Sequence, residues 1–343
     1  MAFEELGIAH RKLDDMLIAS LRFQMRERAE VSSKLEELRR QCGEYISGPG
    51  FAILYFDTGL EGVDTEVCFP VTEPVETDEI NSRMLSGGEV LTVLHHGAHD
   101  NMKQSYRRLA DCVLEHGVNF ENTSREIYLQ LDPDNPQENV TEIQLSFINF
   151  DERLAESLKR VLGEERREQV LGGAGEIALD SSRDERVKWV IDAMERLDGL
   201  ADEREKFDIL SRCAHTFSRK RIERLKAVYE RRGDIDDVLE AMREDPDWYE
   251  DPVREGDIIY VTKIPYDPQG REEATSDAER RMCYCHCATI RRNLDETPPT
   301  FCYCGAGWYR QTWEGILGEP VRVEVLKCLP KGDDVCEFAI HLS

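Results

Sequence analysis

The sequence predicts an α+β fold built from two unlike halves, and three observations carry that expectation. A β-α-β-β order of segments occurs twice between residues 15 and 150. The segments that close the two copies nearly repeat, as Thr65-Glu66-Val67 and Thr141-Glu142-Ile143. Seven of the 11 cysteines fall between Cys283 and Cys336, among short strand-like runs. The expected organisation is a duplicated β-α-β-β domain over 1–150, a charged helical linker over 151–183, and an antiparallel α+β cysteine-rich domain, opened by a helical segment, over 184–343.

In the first copy, LIASLRF (17–23) alternates Leu17, Ala19, Leu21 and Phe23 onto one side of a strand. KLEELRRQCGEYI then puts Leu35, Leu38, Cys42 and Tyr45 at helical spacing, and Gly48-Pro49-Gly50 breaks the helix. FAILYFD (51–57) and TEVCFPV (65–71) read as strands. In the second copy EVLTVLHH (89–96) is strand-like, Tyr106, Leu109, Ala110 and Val113 share a helical face, and EIYLQLD (126–132) and TEIQLSF (141–147) are paired strands. Beyond residue 150, a charged helical stretch and GGAGE (172–176) form the linker. Helices follow over Asp184–Cys213 and Arg219–Arg243, then the strands DIIYVTKIP, CYCHCAT, TFCYC, VRVEVLKCL and VCEFAIHLS, with one helix, Trp308–Leu317, between strands.

Forty-four Lys and Arg against 70 Asp and Glu give a net charge of −26, which repels phosphate backbones and anionic lipid headgroups. Direct nucleic-acid binding and membrane association are therefore not expected. Met1–Asp15 is too short for a helix-turn-helix, so the chain is expected to lack its own DNA-binding domain. A charged start and no apolar run near the roughly 18 residues of a membrane span point to the cytoplasm.

If the two copies join side by side, pleat alternation sends Glu66, Glu126, Tyr128, Gln130, Glu142 and Gln144 into a shared groove. A carboxylate among aromatic rings suits a hydrophobic cation, with Tyr55 and Tyr128 supplying contact area. The same carboxylate in an apolar pocket can act as a general acid or base. The competing reading leaves these glutamates solvated on an outer sheet face.

The ordered series LIASLRF, GPGFAILYFD, VDTEVCFPV, VLHHG, REIYL and TEIQLSF resembles the GyrI-like, AraC-type effector-binding domain, also found in multidrug regulators. The resemblance implies a pseudo-twofold β-α-β-β pair whose groove takes varied, often cationic hydrophobic compounds through an acidic residue. By motif position it offers Glu142 first and Glu126 second, with Glu66, Tyr55, Phe69, Tyr106, Tyr128 and His99 as further ligand contacts. His99 stands in Gly97-Ala98-His99, where the family commonly has Gly-Pro-Tyr. The expected function is a sensor or sequestering protein for such compounds. Its alternative is a hydrolase of electrophilic or cyclopropane-type toxins, with Glu142 and Glu126 as catalytic carboxylates. Further partners expected are a protein or a second copy of the chain.

In the second half, read as strands, Cys283, Cys285 and Cys287 share one face and Cys302 and Cys304 another. Paired strands bring facing Cβ atoms within about 4.5–5.5 Å, a spacing that suits a tetrahedral metal, with zinc favoured by thiolates. Small buried hydrophobes and redox thiols are the other readings of these residues. CYCGAGWY, VEVLKC and VCEFAI loosely resemble the vinyl-reductase-type ligand-binding domain, and a late Gly-Asp-x-x-Cys resembles thiazoline-carboxylate hydrolase-like proteins. The first resemblance implies zinc held by Cys304, Glu324, Cys328 and Cys336.

Overall fold

A computed structural model describes residues 7–56, 62–77, 79–132, 134–148, 150–172, 177, 181–214, 217–245 and 250–342. Residues 173–176 of the expected Gly-rich linker lie outside the described residues. The chain divides into two units, the first ending at Ile148 and the second taking residues 115–119 and the chain from Phe150 onward.

Among the described residues, the first unit is one eight-stranded antiparallel sheet with two α-helices. Its elements are β1 (Ile8–Leu13), β2 (Met16–Met25), α1 (Ala29–Cys42), β3 (Phe51–Tyr55), β4 (Val63–Pro70), β5 (Asn81–Leu85), β6 (Gly88–His96), α2 (Met102–Glu115), β7 (Phe120–Gln130) and β8 (Val140–Phe147). The strand order is β1-β6-β8-β7-β3-β4-β2-β5. The two predicted copies therefore lie side by side, joined through β3 and β7. Phe51 sits opposite Ile127, Ile53 opposite Arg125, and Ala52 opposite Glu126 between them, so exchanging the copies maps this pairing onto itself. Glu66 and Glu142 occupy matching places, opposite Ile53 and Ile127 respectively.

The repeat is longer than the sequence pattern indicates. β1 and β5 precede the predicted copies, and each pairs with the other copy: β1 with β6, β5 with β2. β1 buries only Ile8 fully, which is why its apolar signal is weak. Tyr45, expected on the buried helix face, lies past the end of α1 in a 3₁₀ turn and is exposed.

Both helices cover the same sheet face. Val31, Leu35, Leu38 and Cys42 of α1 pack on Ala19, Leu21, Ala52, Leu54, Val67 and Phe69. From α2, Ser105 meets His95 of β6, and Tyr106 reaches Ser124 of β7. The other sheet face carries a smaller cluster of Ile18, Phe51, Ile53, Cys68 and Leu85. Burial on both faces is what makes FAILY a continuous apolar run.

The second unit contains α3 (Phe150–Leu162), α4 (Glu164–Leu171), α5 (Arg183–Leu200), α6 (Glu203–Leu210), α7 (Arg219–Arg232), α8 (Ile235–Arg243), β9 (Val253–Glu255), β10 (Ile258–Thr262), α9 (Pro268–Glu273), α10 (Asp277–Tyr284), α11 (Tyr303–Leu317), β11 (Arg322–Lys327) and β12 (Glu337–His341). Its sheet runs β11-β12-β10-β9, antiparallel throughout. α3 and α4 send Leu154, Leu158, Val170 and Leu171 into one core with Val190, Met194, Leu197 and Ile209, so the stretch expected as a linker is packed into this unit. Against expectation, CYCHCAT and TFCYC are not strands. A reciprocal cap between Ser276 and Glu279 starts α10, which ends at Tyr284, and Cys302 closes a 3₁₀ turn that leads into α11. The cysteine alternation has period two but spans too few residues to outweigh those helix starts.

Among the described residues, no helix is long and apolar enough to cross a membrane.

Candidate functional site

The expected single groove does not form, because sheet register sends its residues to opposite faces. Glu126 lies opposite Ala52 and Ile143, on the face covered by the helices, and Tyr128 shares that face. Glu66 lies opposite Ile53, Glu142 opposite Ile127 and Gln144 opposite Arg125, all on the other face. Tyr55 joins Glu66 there. Gln130 follows an irregularity in β7 after Tyr128 and is exposed. A strand alternates every residue, so 126 and 128 cannot share a face with the cross-strand neighbours of 127.

On the helix-covered face, Glu126 is fully buried. Its Oε1 accepts a hydrogen bond from Tyr106 Oη at 2.7 Å. Its Oε2 accepts from Tyr128 Oη at 3.0 Å and from Arg28 Nη1 at 2.6 Å. Tyr106 Oη also lies 2.9 Å from Ser124 Oγ. Burial first, then the Glu126 charge, pushes the hydroxyls of Tyr106 and Tyr128 well above the usual tyrosine range, which keeps both as donors at neutral pH. The His99 ring lies 5.7 Å from Tyr128, and Phe56, partly exposed, meets Tyr106 edge-on at 6.2 Å. Phe69 is on this face too, but buried beneath α1 as core. The first copy contributes the small Ala52 opposite Glu126 and the apolar Leu54 opposite Ser124. The result is one buried carboxylate with aromatic and apolar walls.

Arg28, Ser124 and Phe56 are site residues that sequence reasoning misses. Arg28 reads in sequence as a charge before a helix, and only the pairing of the two copies brings it to Glu126, 98 positions away.

The opposite face is an ion-pair network. Glu66 accepts from Tyr55 Oη at 2.7 Å and from Arg83 Nη2 at 2.7 Å, while Arg22 holds Asp64 through two hydrogen bonds and lies 4.2 Å over the Tyr55 ring. Glu142 takes Gln144 Nε2 at 2.7 Å and Arg11 at 3.3 Å. Burial pushes the Glu66 carboxyl up, but hydrogen bonds from Arg83, Ser20 and Tyr55 and the Arg83 charge outweigh it, leaving a net shift below the ordinary 4.5. A carboxylate whose folded value is depressed contributes stability at neutral pH and loses it as pH falls from about 4.5 through the folded value. Glu66→Gln is therefore expected to cost about 1–2 kcal/mol at pH 7 and less at an acid pH below 4.5. Urea midpoints of wild type and variant at the two pH values check this; equal differences at both would remove the assigned role.

The cysteines of the second unit do not assemble as the zinc expectation required. Among the described residues, no group of three or more His, Cys, Asp and Glu side chains is arranged to hold a metal ion. Glu324 projects from β11 partly exposed, 3.4 Å from His341 and 3.8 Å from Arg322. Cys328 is buried at the end of that strand and is bonded by Cys302, not Cys304. The Cys302 hydrogen bond, opposed by burial and aided by Lys331, brings the Cys328 thiol down to about 7, while Cys302 itself is raised. Cys285 packs into the helical core, with Cys287, Cys304 and Cys336 against it. Cys283 closes α10. Among the described residues, Glu324, Cys304, Cys328 and Cys336 are not gathered into one ligand group.

Residues 11–147 match the family model of the GyrI-like small molecule binding domain. Comparison with curated proteins gives no match. Among solved structures, the C-terminal domain of EcmrR is 21% identical over 41% of this chain and 96% of that one, with a TM-score of 0.36. An EcmrR–DNA complex is 22% identical with the same score and share of this chain, and the match spans 56% of that chain, just over half its length. A hydrolase from Listeria innocua is 12% identical over 41% of this chain and 91% of that one, at a TM-score of 0.32. With the paired β-α-β-β copies in the sheet, the match over 11–147 places this segment: residues 11–147 are a GyrI-like small molecule binding domain.

Proposed function

We propose that the first unit binds a hydrophobic cation on its helix-covered face, and that the chain acts by ligand occupancy, as a sensor or a sequestering protein. The observation that carries this reading is Glu126: a carboxylate with no exposed surface, set among Tyr106, Tyr128 and the apolar Ala52 and Leu54. The aromatic faces beside this carboxylate add attraction for a cation. The net charge of −26 raises the local concentration of cations further.

Binding is favoured over hydrolysis by the state of that carboxylate. Both oxygens already accept hydrogen bonds, from Tyr106 on one and from Tyr128 and Arg28 on the other, which leaves Glu126 poorly placed to direct a water.

Tetraphenylphosphonium and tetraphenylborate have nearly the same size and apolar surface but opposite charge. The full chain is expected to bind the cation at least about tenfold more tightly than the anion in equilibrium titrations, and to return it unaltered. Equal affinity for the two would reject the reading.

A further inference from the structure

The cation already beside Glu126 belongs to the protein. Arg28 stands immediately before α1, in the first copy, and its Nη1 reaches Glu126 Oε2, in the second copy, at 2.6 Å. The pairing has no counterpart across the pseudo-twofold. α1 and α2 are both 14 residues long, yet the residue before α2 is Asn101, and the residue matching Glu126 in the central strand pair is Ala52.

Local structure does not explain an arginine at this place. Arg28 makes no side-chain cap to α1. A cation at a helix N-terminus also opposes the helix dipole. The turn before α1 is held instead by Glu30, whose carboxylate accepts from the backbone N–H of Arg26 at 2.7 Å and of Glu27 at 3.1 Å. Accessibility differs sharply across the pair: the Arg28 side chain is 37% exposed and that of Glu126 is 0% exposed. The guanidinium can swing into water and be rehydrated, whereas the carboxylate cannot leave.

We propose that Arg28 is the specificity-determining residue of this site, holding the position of the ligand's cation, so that a ligand binds Glu126 only by displacing the guanidinium. The inference rests on the reading of Glu126 as the ligand's counter-charge. Its consequence follows from exchange. One cation replaces another at the carboxylate, so much of the electrostatic gain cancels and net affinity must come mainly from apolar contact with Phe56, Tyr106 and Tyr128. Small hydrated cations cannot supply that contact and are rejected; bulky aromatic cations can. Arg28 thus turns a general cation site into one that selects for hydrophobic bulk.

The test titrates tetraphenylphosphonium and tetramethylammonium into the full chain as wild type, Arg28→Ala, Arg28→Lys and Glu126→Gln, with thermal unfolding run in parallel. Arg28→Ala is expected to tighten tetraphenylphosphonium about tenfold and to make tetramethylammonium binding measurable, while Arg28→Lys, which keeps a displaceable cation, stays within about threefold of wild type. If a folded Arg28→Ala binds tetraphenylphosphonium no more tightly than wild type, the inference is overturned. Should Arg28→Ala not fold, Arg28→Gln keeps a donor to Glu126 without the charge, and its failure to tighten binding overturns it equally. The underlying reading fails separately, when wild type and Glu126→Gln bind the cation alike.

Discussion

Replacing Glu126 by glutamine is expected to weaken binding of tetraphenylphosphonium at least about tenfold, and replacing Glu142 to leave it within about twofold. The two residues look alike in sequence, and motif position even favours Glu142. Register separates them. Glu126 faces the helices beside Tyr106 and Tyr128 and is wholly buried, whereas Glu142 is on the reverse of the sheet with Gln144 and an Arg11 that is more than half exposed. Glutamine keeps the size of the side chain but removes the charge and replaces one of the two accepting oxygens with a donating NH2, so the loss measures the charge together with the hydrogen bonds of that oxygen. Its magnitude is limited by Arg28: the variant also frees that guanidinium from a pairing the ligand would otherwise have to break. If Glu142→Gln gives the larger loss, the ligand sits on the other face, beside Glu66, Tyr55 and Arg83.

Much of the first unit is legible because its pattern is local. Alternation in LIASLRF and TEIQLSF marks strands, and the 3.6-residue spacing in both helices marks elements that bury one face each; the structure has strands and helices in these segments. The Thr-Glu recurrence reports a true equivalence, since Glu66 and Glu142 sit at the same cross-strand position of their copies. Legibility ends at facing. Which side of the sheet residue 126 takes depends on its pairing with β3, a contact between Glu126 and Ala52 that no short window contains. Arg28 is hidden for the same reason, and β1 and β5 because exchanged edge strands need little apolar character of their own. In the second unit, period two in the cysteines competes with capping: the Ser276–Glu279 box and the Pro298-Pro299 entry to the turn before α11 decide the local structure, and the cysteines follow.

The second unit carries its own sharp expectation, at Gly307. α11 crosses the 3₁₀ turn Ser211–Cys213 closely enough that a Cβ at 307 would lie 2.0 Å from the Ser211 carbonyl oxygen and 2.8 Å from the Ala214 Cβ. Two effects of Gly307→Ala oppose each other. Alanine in a helix gains up to about 1 kcal/mol over glycine, whereas a backbone oxygen at 2.0 Å must move. That oxygen belongs to a turn pinned on several sides. Ser157 Oγ donates to the Ile209 carbonyl, Arg310 Nη1 lies 2.8 Å from Ser211 Oγ, and Ala306, Tyr309 and Trp313 of α11 are buried in the adjoining core. The turn cannot yield without unpacking them, so the clash outweighs the propensity gain, and Gly307→Ala is expected to cost about 2–4 kcal/mol in urea unfolding. Gly199, within α5 and with no atom within 4 Å of where a methyl group would sit, is the matched control: Gly199→Ala meets no clash and is expected to stabilise by about 0.5–1 kcal/mol. A stabilising Gly307→Ala would mean that α11 and the turn do not approach this closely, and the packing that joins the two cores of the second unit would have to be redrawn.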